Sequence, residues 1–280
     1  MNRIVLSATD LHVTFPSLRG RSEVRAVDGV DLEVRDGEIL ALVGASGSGK
    51  TTLSRALLGL ERPTSGEVTA LGKRLPTGGA ELRRYRRRVQ LVMQDPAGAL
   101  NPKHSVYESV AEGIRLHRLV AEHNARGEDV TEVDLVARAL SNAGLRPPEQ
   151  FFLSYPHELS GGQRQRVLIA GALAVEPETI IADEPVASLD ASLRGEILGL
   201  FLRLREQMRL SVMVVTHDLG LAWNIADRVA VMQSGRLVEV GTTEEVLLNP
   251  QHPYTRELLA ALPSGQHRTG HEPAMKESEG

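Results

Sequence analysis

The chain has 280 residues, a formal net charge of −4 and no cysteine. Without cysteine, its own residues form no disulfide bond, thiolate zinc site or iron–sulfur cluster, and the negative charge excludes a general electrostatic attraction to nucleic acid. The length suits one large α/β domain that carries an inserted subdomain.

Hydropathy predicts a protein without a membrane span. No apolar stretch approaches the roughly 20 residues needed to cross a bilayer. The first ten residues also lack the basic and then apolar order of a signal peptide. We therefore expect a soluble, cytoplasmic protein.

The N-terminal part predicts an antiparallel β layer. Short apolar segments separated by turns indicate strands at residues 4–6, 11–15, 27–34 and 38–43. Further strands are predicted at 67–70 and 88–93. Between them lies a dense basic cluster of Arg83, Arg84, Arg86, Arg87 and Arg88. A solvated helix end or a subunit contact explains this cluster better than a patch for a phosphate backbone.

Residues 44–51 read GASGSGKT and directly follow a predicted strand. The glycines let backbone N–H groups approach an anion, and the helix that follows offers its positive end. Lys50 is expected to reach the outer phosphates and the Thr51 hydroxyl to bind Mg²⁺. The predicted nucleotide-binding set here is Gly44, Ala45, Ser46, Gly47, Ser48, Gly49, Lys50, Thr51 and Thr52.

The middle and C-terminal parts differ in their periodicity. Helical patterns at 105–117 and 130–143 predict an inserted helical subdomain at about 97–165. Helices at 161–175 and 191–208 then alternate with strands at 179–182 and 211–216, which favours a mainly parallel sheet covered on both faces. Shorter segments follow: a helix at 219–225, strands at 228–232 and 236–240, and helices at 243–248 and 254–261. Residues 1–264 are expected to form one nucleotide-binding domain, and 265–280 a disordered polar tail.

Two further features predict chemistry. Ser160 is a natural helix N-cap in front of Gly161, Gly162 and Gln163, and it marks a second anion site. Asp183 and Glu184 end an apolar strand, where a parallel sheet presents its ligands. One carboxylate can hold Mg²⁺ and the other can activate water.

These motifs occur in the order found in ABC transporter ATPases. GASGSGKT, LSGGQ, the Asp183–Glu184 pair, ASLD at 187–190 and THD at 216–218 carry the resemblance, which covers about residues 5–260. It implies an α/β fold of the P-loop NTPase class, with a RecA-like core, an antiparallel β layer and a helical subdomain. It also implies ATP and Mg²⁺ as ligands.

The resemblance implies a role for each site residue. Thr51, Gln94 and Asp183 would contact Mg²⁺, Glu184 would be the general base, and His217 would contact the γ-phosphate. Taken alone, Gln94 and His217 would be an ordinary strand end and a surface turn residue, and only their place in the ordered series favours the functional interpretation.

The family pattern also implies a composite ATP site. Ser160, Gly161, Gly162 and Gln163 of one subunit would cap the nucleotide held by another, and Asp190 would lie at that interface. Phe15 is the best placed residue to stack on adenine, and an equally good alternative is that it belongs to the core.

Several segments resemble the peptide and nickel importer branch: QDP at 94–96, LNP at 100–102, YPHEL at 155–159 and NPQHPYT at 249–255. The implied function is ATP hydrolysis at the cytoplasmic face of the membrane. The implied partners are two permease subunits, a second ATPase subunit in a heterodimer and an extracytoplasmic solute-binding protein. A dipeptide, a longer peptide, nickel and an opine-like solute all remain open as cargo.

Two other function classes compete with this interpretation. A soluble ABC ATPase that acts on DNA or ribosomes generally shows a tandem cassette, a long coiled coil or zinc-binding cysteines, and none is found in this sequence. A P-loop kinase or GTPase does not account for LSGGQ.

Overall fold

Two β-sheets run through the described part of the chain, in a computed structural model that covers residues 3–16, 23–187 and 189–261. The predicted polar tail at 265–280 lies outside the described residues. The strands are β1 (Ile4–Pro16), β2 (Glu23–Arg35), β3 (Ile39–Val43), β4 (Ser65–Ala70), β5 (Lys73–Arg74), β6 (Val89–Val92), β7 (Thr179–Asp183), β8 (Ser211–Thr216), β9 (Arg228–Gln233) and β10 (Arg236–Thr242).

Helices connect most of these strands. They are α1 (Lys50–Leu57), α2 (Gly79–Arg88), α3 (Pro96–Ala99), α4 (Val106–His117), α5 (Leu119–Ala125), α6 (Glu132–Asn142), α7 (Gly161–Leu173), α8 (Ala191–Met208), α9 (Leu219–Ile225), α10 (Thr243–Leu248) and α11 (Pro253–Ala260). Within the described ranges, no helix combines the length and the apolar character needed to cross a membrane.

The smaller sheet is antiparallel and has the order β2-β1-β4-β5. The two strands predicted at 4–6 and 11–15 form one long strand, β1, because a bulge joins them. The register shifts between Ala8 and Leu11, Asp10 takes a φ of 43°, and its N–H donates to Asp31 Oδ1 at 2.8 Å. That side-chain acceptor satisfies the backbone group that the bulge removes from the ladder.

The larger sheet has the order β10-β9-β3-β8-β7-β6. Strand β10 pairs antiparallel with β9, and the other neighbouring pairs are parallel. Every residue of the two central strands β3 and β8 is buried, because side chains pack against both faces. The predicted parallel sheet is therefore confirmed. Its parallel strands end at one edge, where β3, β6, β7 and β8 deliver the residues that follow them.

The residues between β6 and β7 contain helices and no strand in this described range. The predicted helices at 105–117 and 130–143 correspond to α4 and α6. Three helices were not predicted: α3 and α5 are too short to show a clear period, and α2 is too basic to show an apolar face. Helix α7 continues past residue 165, so the boundaries of the helical subdomain remain a prediction.

The arginine cluster belongs to α2 and contacts the chain itself. Arg86 Nη2 donates to Gly59 O at 2.7 Å, Arg87 Nε donates to Val175 O at 3.2 Å, and Arg88 Nε donates to Glu178 Oε1 at 2.6 Å. These arginines therefore tie the end of α2 to neighbouring segments. A nucleic-acid patch gains no support from this arrangement.

Candidate functional site

A cleft of about 800 Å³ opens where the parallel strands end. The loops after β3, β6, β7 and β8 meet there because the carboxyl ends of parallel strands share one edge of the sheet. Eleven predicted site residues line the cleft, namely Ala45, Ser46, Gly47, Gly49, Lys50, Thr51, Thr52, Gln94, Asp183, Glu184 and His217. One cleft thus combines the P-loop, the acidic pair and the residues after two further strands.

The backbone of the P-loop is packed too closely for side chains at two of its glycines. Gly49 has a φ of 108°, and a Cβ there would lie 2.1 Å from Ala26 O. A Cβ at Gly44 would lie 2.2 Å from Met232 O. Gly44 and Ser48 are buried beneath the loop, outside the cleft lining. Strand β2 and strand β9 therefore fix the loop from behind.

Lys50 begins α1 and folds back over the loop. Its Nζ donates to Gly44 O at 2.7 Å and to Ala45 O at 3.0 Å, and only 7% of the residue is exposed. Burial lowers the pKa of Lys50, and the nearby carboxylates of Glu184 and Asp183 oppose that shift. A cation held at this point is placed to bind the negatively charged phosphates of a nucleotide.

Asp183 ends β7 and is half-buried. Burial raises its pKa above the ordinary value of 3.8, while a hydrogen bond from the Thr51 side chain works against the shift. The negative charge of Glu184 adds to the upward shift. Partial burial makes the ionised form of this carboxylate unfavourable while the site is empty. A cation bound beside the hydroxyl group would favour the ionised form.

Glu184 adopts an unusual backbone conformation. Its φ is 49°, a region that costs a side chain with a Cβ free energy, and its N–H donates to Val215 O at 2.8 Å. Its carboxylate oxygen Oε1 lies 2.7 Å from His217 Nδ1. The turn after β7 is therefore held by its neighbour β8, and it aims an acidic side chain into the cleft.

Gln94 reaches the cleft from the loop after β6. The predicted strand extended to Met93, but β6 ends at Val92, and Gln94 is exposed. Asp95, which follows, caps the short helix α3 by accepting a hydrogen bond from Ala97 N at 2.9 Å. The cap directs the chain away from the sheet and leaves Gln94 at the cleft wall.

The LSGGQ segment lies elsewhere in the chain. Ser160 caps α7 in a reciprocal arrangement in which Gln163 N donates to Ser160 Oγ at 3.2 Å and Ser160 N donates to Gln163 Oε1 at 2.8 Å. Gly161 and Gly162 form the first turn. None of these four residues is among those that line the cleft. The structure therefore separates the two predicted anion sites.

Asp190 lies close to this segment. It caps α8 by accepting a hydrogen bond from Leu193 N at 3.0 Å, which lowers the pKa of its carboxyl group. A Cβ at Gly162 would lie 3.0 Å from Leu193 Cδ2, so the starts of α7 and α8 are in contact. Asp190 is also outside the cleft. The structure brings Asp190 together with the LSGGQ segment and away from the P-loop of the same chain.

Phe15 does not line the cleft. It lies opposite Val24 in the β1–β2 pair and packs, half-buried, against the apolar cluster beneath the antiparallel sheet. Val24 and Arg25 of β2 line the cleft instead. A contact between Phe15 and adenine stays a prediction.

Two contacts to the P-loop were not predicted. Gly235 N, in the turn between β9 and β10, donates to Ser48 O at 2.8 Å. Ala45 N donates to Tyr254 Oη of α11 at 2.9 Å. The Ser-Gly turn at 234–235 is a recognisable hairpin signal, but its partner is set by tertiary packing. Tyr254 belongs to the NPQHPYT segment at 249–255, which indicated a relation to peptide importers but no contact with the P-loop.

Family comparisons agree with the geometry of the cleft. A family model described as ABC transporter matches residues 27–187, which include the P-loop, LSGGQ and the acidic pair. The chain belongs to the ABC transporter family. A second model, described as Oligopeptide/dipeptide transporter, C-terminal region, matches residues 238–279.

Similar curated proteins include the glutathione import ATP-binding protein GsiA. The protein from Salmonella typhimurium (strain LT2) is 43% identical over 265 residues, and that from Escherichia coli (strain K12) is 42% identical. Each alignment covers 92% of this chain and 41% of the relative. The chain thus spans about two fifths of the length of these curated relatives.

Solved structures of ABC transporter proteins share the fold. CbiO1 from Clostridium perfringens, described as part of the ABC transporter complex cbiONQ, has a TM-score of 0.74 at 28% identity and covers 95% of this chain and 98% of its own. The dimeric structure of MJ0796, a bacterial ABC transporter cassette, has a TM-score of 0.70 at 27% identity, with 85% and 98% covered. The ABC ATPase fold is therefore confirmed, with its antiparallel β layer and parallel core.

Proposed function

We propose that this chain binds and hydrolyses MgATP and thereby powers an ABC importer for peptides or related small solutes. The single observation that carries the catalytic part is the cleft, because it joins a phosphate-binding loop and its lysine to a strained acidic residue. Phosphoryl transfer needs little covalent chemistry from a protein and depends on positioning and electrostatics. The cleft supplies both.

The residues of the cleft fit Mg²⁺. This cation is usually held by one or two carboxylates together with substrate phosphates, and the cleft offers Asp183 and the Thr51 hydroxyl, with Gln94 nearby. No group of three or more His, Asp or Glu side chains that could hold a metal ion occurs among the described residues. When bound, Mg²⁺ would neutralise charge that develops on the phosphates.

Glu184 is the proposed general base. An attacking water would transfer a proton to its carboxylate while a new bond forms to the γ-phosphorus and the bond to the bridging oxygen breaks. His217 Nδ1–H donates to Oε1 and orients the carboxylate. Lys50, which lines the same cleft, would hold the phosphates.

A complete site requires a second ATPase subunit in this proposal. Ser160, Gly162 and Asp190 lie outside the cleft that holds Lys50, so they are available to the nucleotide of a partner. The MJ0796 cassette is described as dimeric, and a second structure of it as a post-hydrolysis state bound to ADP and Pi. By analogy, ATP would favour the closed pair and hydrolysis would release it.

The importer assignment depends on the C-terminal region. The match of residues 238–279 to an oligopeptide/dipeptide transporter region, and the resemblance to glutathione import proteins, favour peptide-like cargo. They also favour a transporter over a soluble ATPase that acts on DNA or ribosomes. The proposed partners are two permease subunits, a second ATPase subunit in a heterodimer and an extracytoplasmic solute-binding protein, with this chain at the cytoplasmic face.

Reconstitution tests the whole proposal. The chain would be co-expressed with candidate permeases and a second ATPase, placed in proteoliposomes, and supplied with a solute-binding protein loaded from a peptide library. We expect peptide uptake that requires ATP and is lost in Glu184→Gln. Hydrolysis that is indifferent to the permeases, but stimulated by DNA or ribosomes, would overturn the importer assignment.

A further inference from the structure

The C-terminal region of the chain contacts the P-loop directly. Tyr254 lies near the start of α11, and its hydroxyl oxygen accepts a hydrogen bond from the backbone N–H of Ala45 at 2.9 Å. The two residues are 209 positions apart in the sequence. Ala45 is the second residue of GASGSGKT, where the chain leaves β3 and enters the phosphate-binding turn.

The Ala45 peptide is held on both sides. Its N–H donates to Tyr254, and its carbonyl oxygen accepts from Lys50 Nζ at 3.0 Å and from Ser48 N at 3.2 Å. Ala45 itself is exposed, so its position depends on hydrogen bonds more than on packing. The phenol holds this peptide together with Lys50 and Ser48, and it is the partner that the C-terminal region contributes.

Apolar packing holds the aromatic ring of Tyr254. The ring packs against an apolar cluster that includes Val43, the last residue of β3, together with Val231 and Leu219. Leu258 and Leu259 of α11 pack against the same cluster. The ring and the strand that leads into the P-loop therefore share one core.

Backbone contacts fix the turn in front of α11. Glu239 of β10 accepts from Gln251 N at 2.8 Å through Oε1 and from His252 N at 3.1 Å through Oε2. Tyr254 N then donates to His252 Nδ1 at 3.2 Å, which caps the helix. These bonds determine where the side chain of Tyr254 starts and keep its hydroxyl within reach of Ala45.

We propose that Tyr254 is a positioning residue of the ATP site and that it couples the transporter-type C-terminal region to the P-loop. This inference rests on the proposed ATP-binding function and adds a component to it. The region matched at 238–279 contains Glu239, His252 and Tyr254, so the segment that relates the chain to peptide transporters is also a support of its nucleotide site. By linkage, a nucleotide that orders the loop would also strengthen the docking of α11.

The test compares two variants that each lose one tyrosine hydroxyl. Tyr254→Phe removes the acceptor for Ala45 N–H and keeps the ring in the apolar cluster. Tyr107→Phe is the matched control, because Tyr107 is also half-buried and its hydroxyl donates to Glu132 Oε1 at 2.9 Å in the helical part of the chain. The full-length chain is used for both.

Two measurements are made on each variant. Amide exchange followed by NMR reports the Ala45 N–H without nucleotide, and titration with MgATP gives the dissociation constant. Tyr254→Phe should speed the exchange of Ala45 about threefold and weaken MgATP binding about threefold, since a single solvent-exposed neutral hydrogen bond contributes modestly. Tyr107→Phe should change neither the exchange rate of Ala45 N–H nor the MgATP affinity, although the loss of its hydrogen bond also lowers the stability of the fold.

The possible results test separately the hydrogen bond, its role in the ATP site and the proposed function. Unchanged exchange at Ala45 in Tyr254→Phe overturns the contact, and faster exchange with unchanged MgATP affinity overturns its role in the site. An equal loss of affinity in Tyr107→Phe would assign the effect to general destabilisation and overturn the proposal. If the wild-type chain does not bind MgATP, the proposed function fails, while the exchange of Ala45 still decides whether Tyr254 positions the loop.

Discussion

Glu184 and His217 form a hydrogen-bonded pair across neighbouring strands, with 2.7 Å between Glu184 Oε1 and His217 Nδ1. The glutamate side chain is 16% exposed and the histidine side chain 66% exposed, so the imidazole covers the acid from solvent. Among the residues that the structure describes, the other oxygen, Oε2, has one long contact, of 3.5 Å to Thr216 Oγ1. One carboxylate oxygen is thus used for orientation and the other is better placed to accept a proton from water.

Glu184→Gln should preserve ATP binding and lower turnover by about 10²-fold or more. The amide keeps the size of the side chain and can still accept the hydrogen bond from His217, but it does not accept a proton from water at neutral pH. Loss of a positioned general base has an effect of this size. Steady-state hydrolysis and equilibrium ATP binding in the assembled complex check both parts.

Glu112→Gln is the control for the same chemical change. Glu112 is exposed on α4 and lies outside the cleft, so its turnover should match that of the wild type. Near-normal hydrolysis by Glu184→Gln would remove Glu184 from the role of base.

Ser160→Arg should block turnover by at least about tenfold while leaving the MgATP affinity of the same chain unchanged. Ser160 lies outside the cleft, so a bulky side chain there would obstruct the partner's nucleotide and not the chain's own. Hydrolysis by the assembled complex and binding by the isolated chain are the two measurements.

Ser105→Arg is a closely matched control for the loss of a helix cap. Ser105 caps α4 through Glu108 N at 3.2 Å, the same distance as in the cap of Ser160, and each loss should cost about 1 kcal/mol of stability. If both variants hydrolyse ATP at the same rate, the composite site is wrong.

The sequence predicted those parts of the site that depend on local chemistry. The P-loop, the acidic strand end and the helix caps each require particular residue types at fixed spacing, and the structure brings Lys50, Asp183, Glu184 and His217 to one cleft. The mainly parallel sheet could be predicted because apolar strand segments alternate with helices, but the order of its strands was not predicted.

Features that depend on distant contacts could not be predicted in this way. The bond between Ala45 and Tyr254 joins residues 209 positions apart, and no periodicity records it. The bulge at Asp10 depends on an acceptor from β2, Asp31, that only sheet pairing brings near. The alternation of apolar and polar residues around Phe15 is the same whether its side chain faces a ligand or the core. Its position depends on how β1 pairs with β2.

Gly49→Ala should destabilise the fold by about 3 kcal/mol or more. Its φ of 108° is unfavourable for a residue with a Cβ, and that Cβ would lie 2.1 Å from Ala26 O, which forces the P-loop or β2 to move. Gly37→Ala is the control, because Gly37 has a φ of 68° and open space around its Cβ, so about 1 kcal/mol is expected. Denaturant unfolding measures both. Equal losses would show that the close approach of β2 does not constrain the loop.

Asp183→Asn should stabilise the nucleotide-free chain at pH 7. Burial holds the pKa of Asp183 above 3.8 in the folded state, so the folded chain binds this proton more tightly than the unfolded chain does. The free energy of unfolding contributed by Asp183 therefore falls as the pH rises from 3.8 through the raised pKa. The asparagine side chain does not ionise, so the variant does not lose this stability. The advantage of the variant should shrink as the pH is lowered.

Asp129→Asn, at an exposed position outside the cleft, should show no such difference from the wild type. Addition of MgATP should reverse the order at pH 7, because a bound cation favours the ionised carboxylate and stabilises only the state that binds it. Thermal unfolding at several pH values, with and without MgATP, measures the effect. A variant that is less stable than the wild type without nucleotide, or that MgATP stabilises as much as it stabilises the wild type, would show that Asp183 is a structural acid. A cation ligand should instead lower the stability of the fold while the site is empty and raise it when the cation binds.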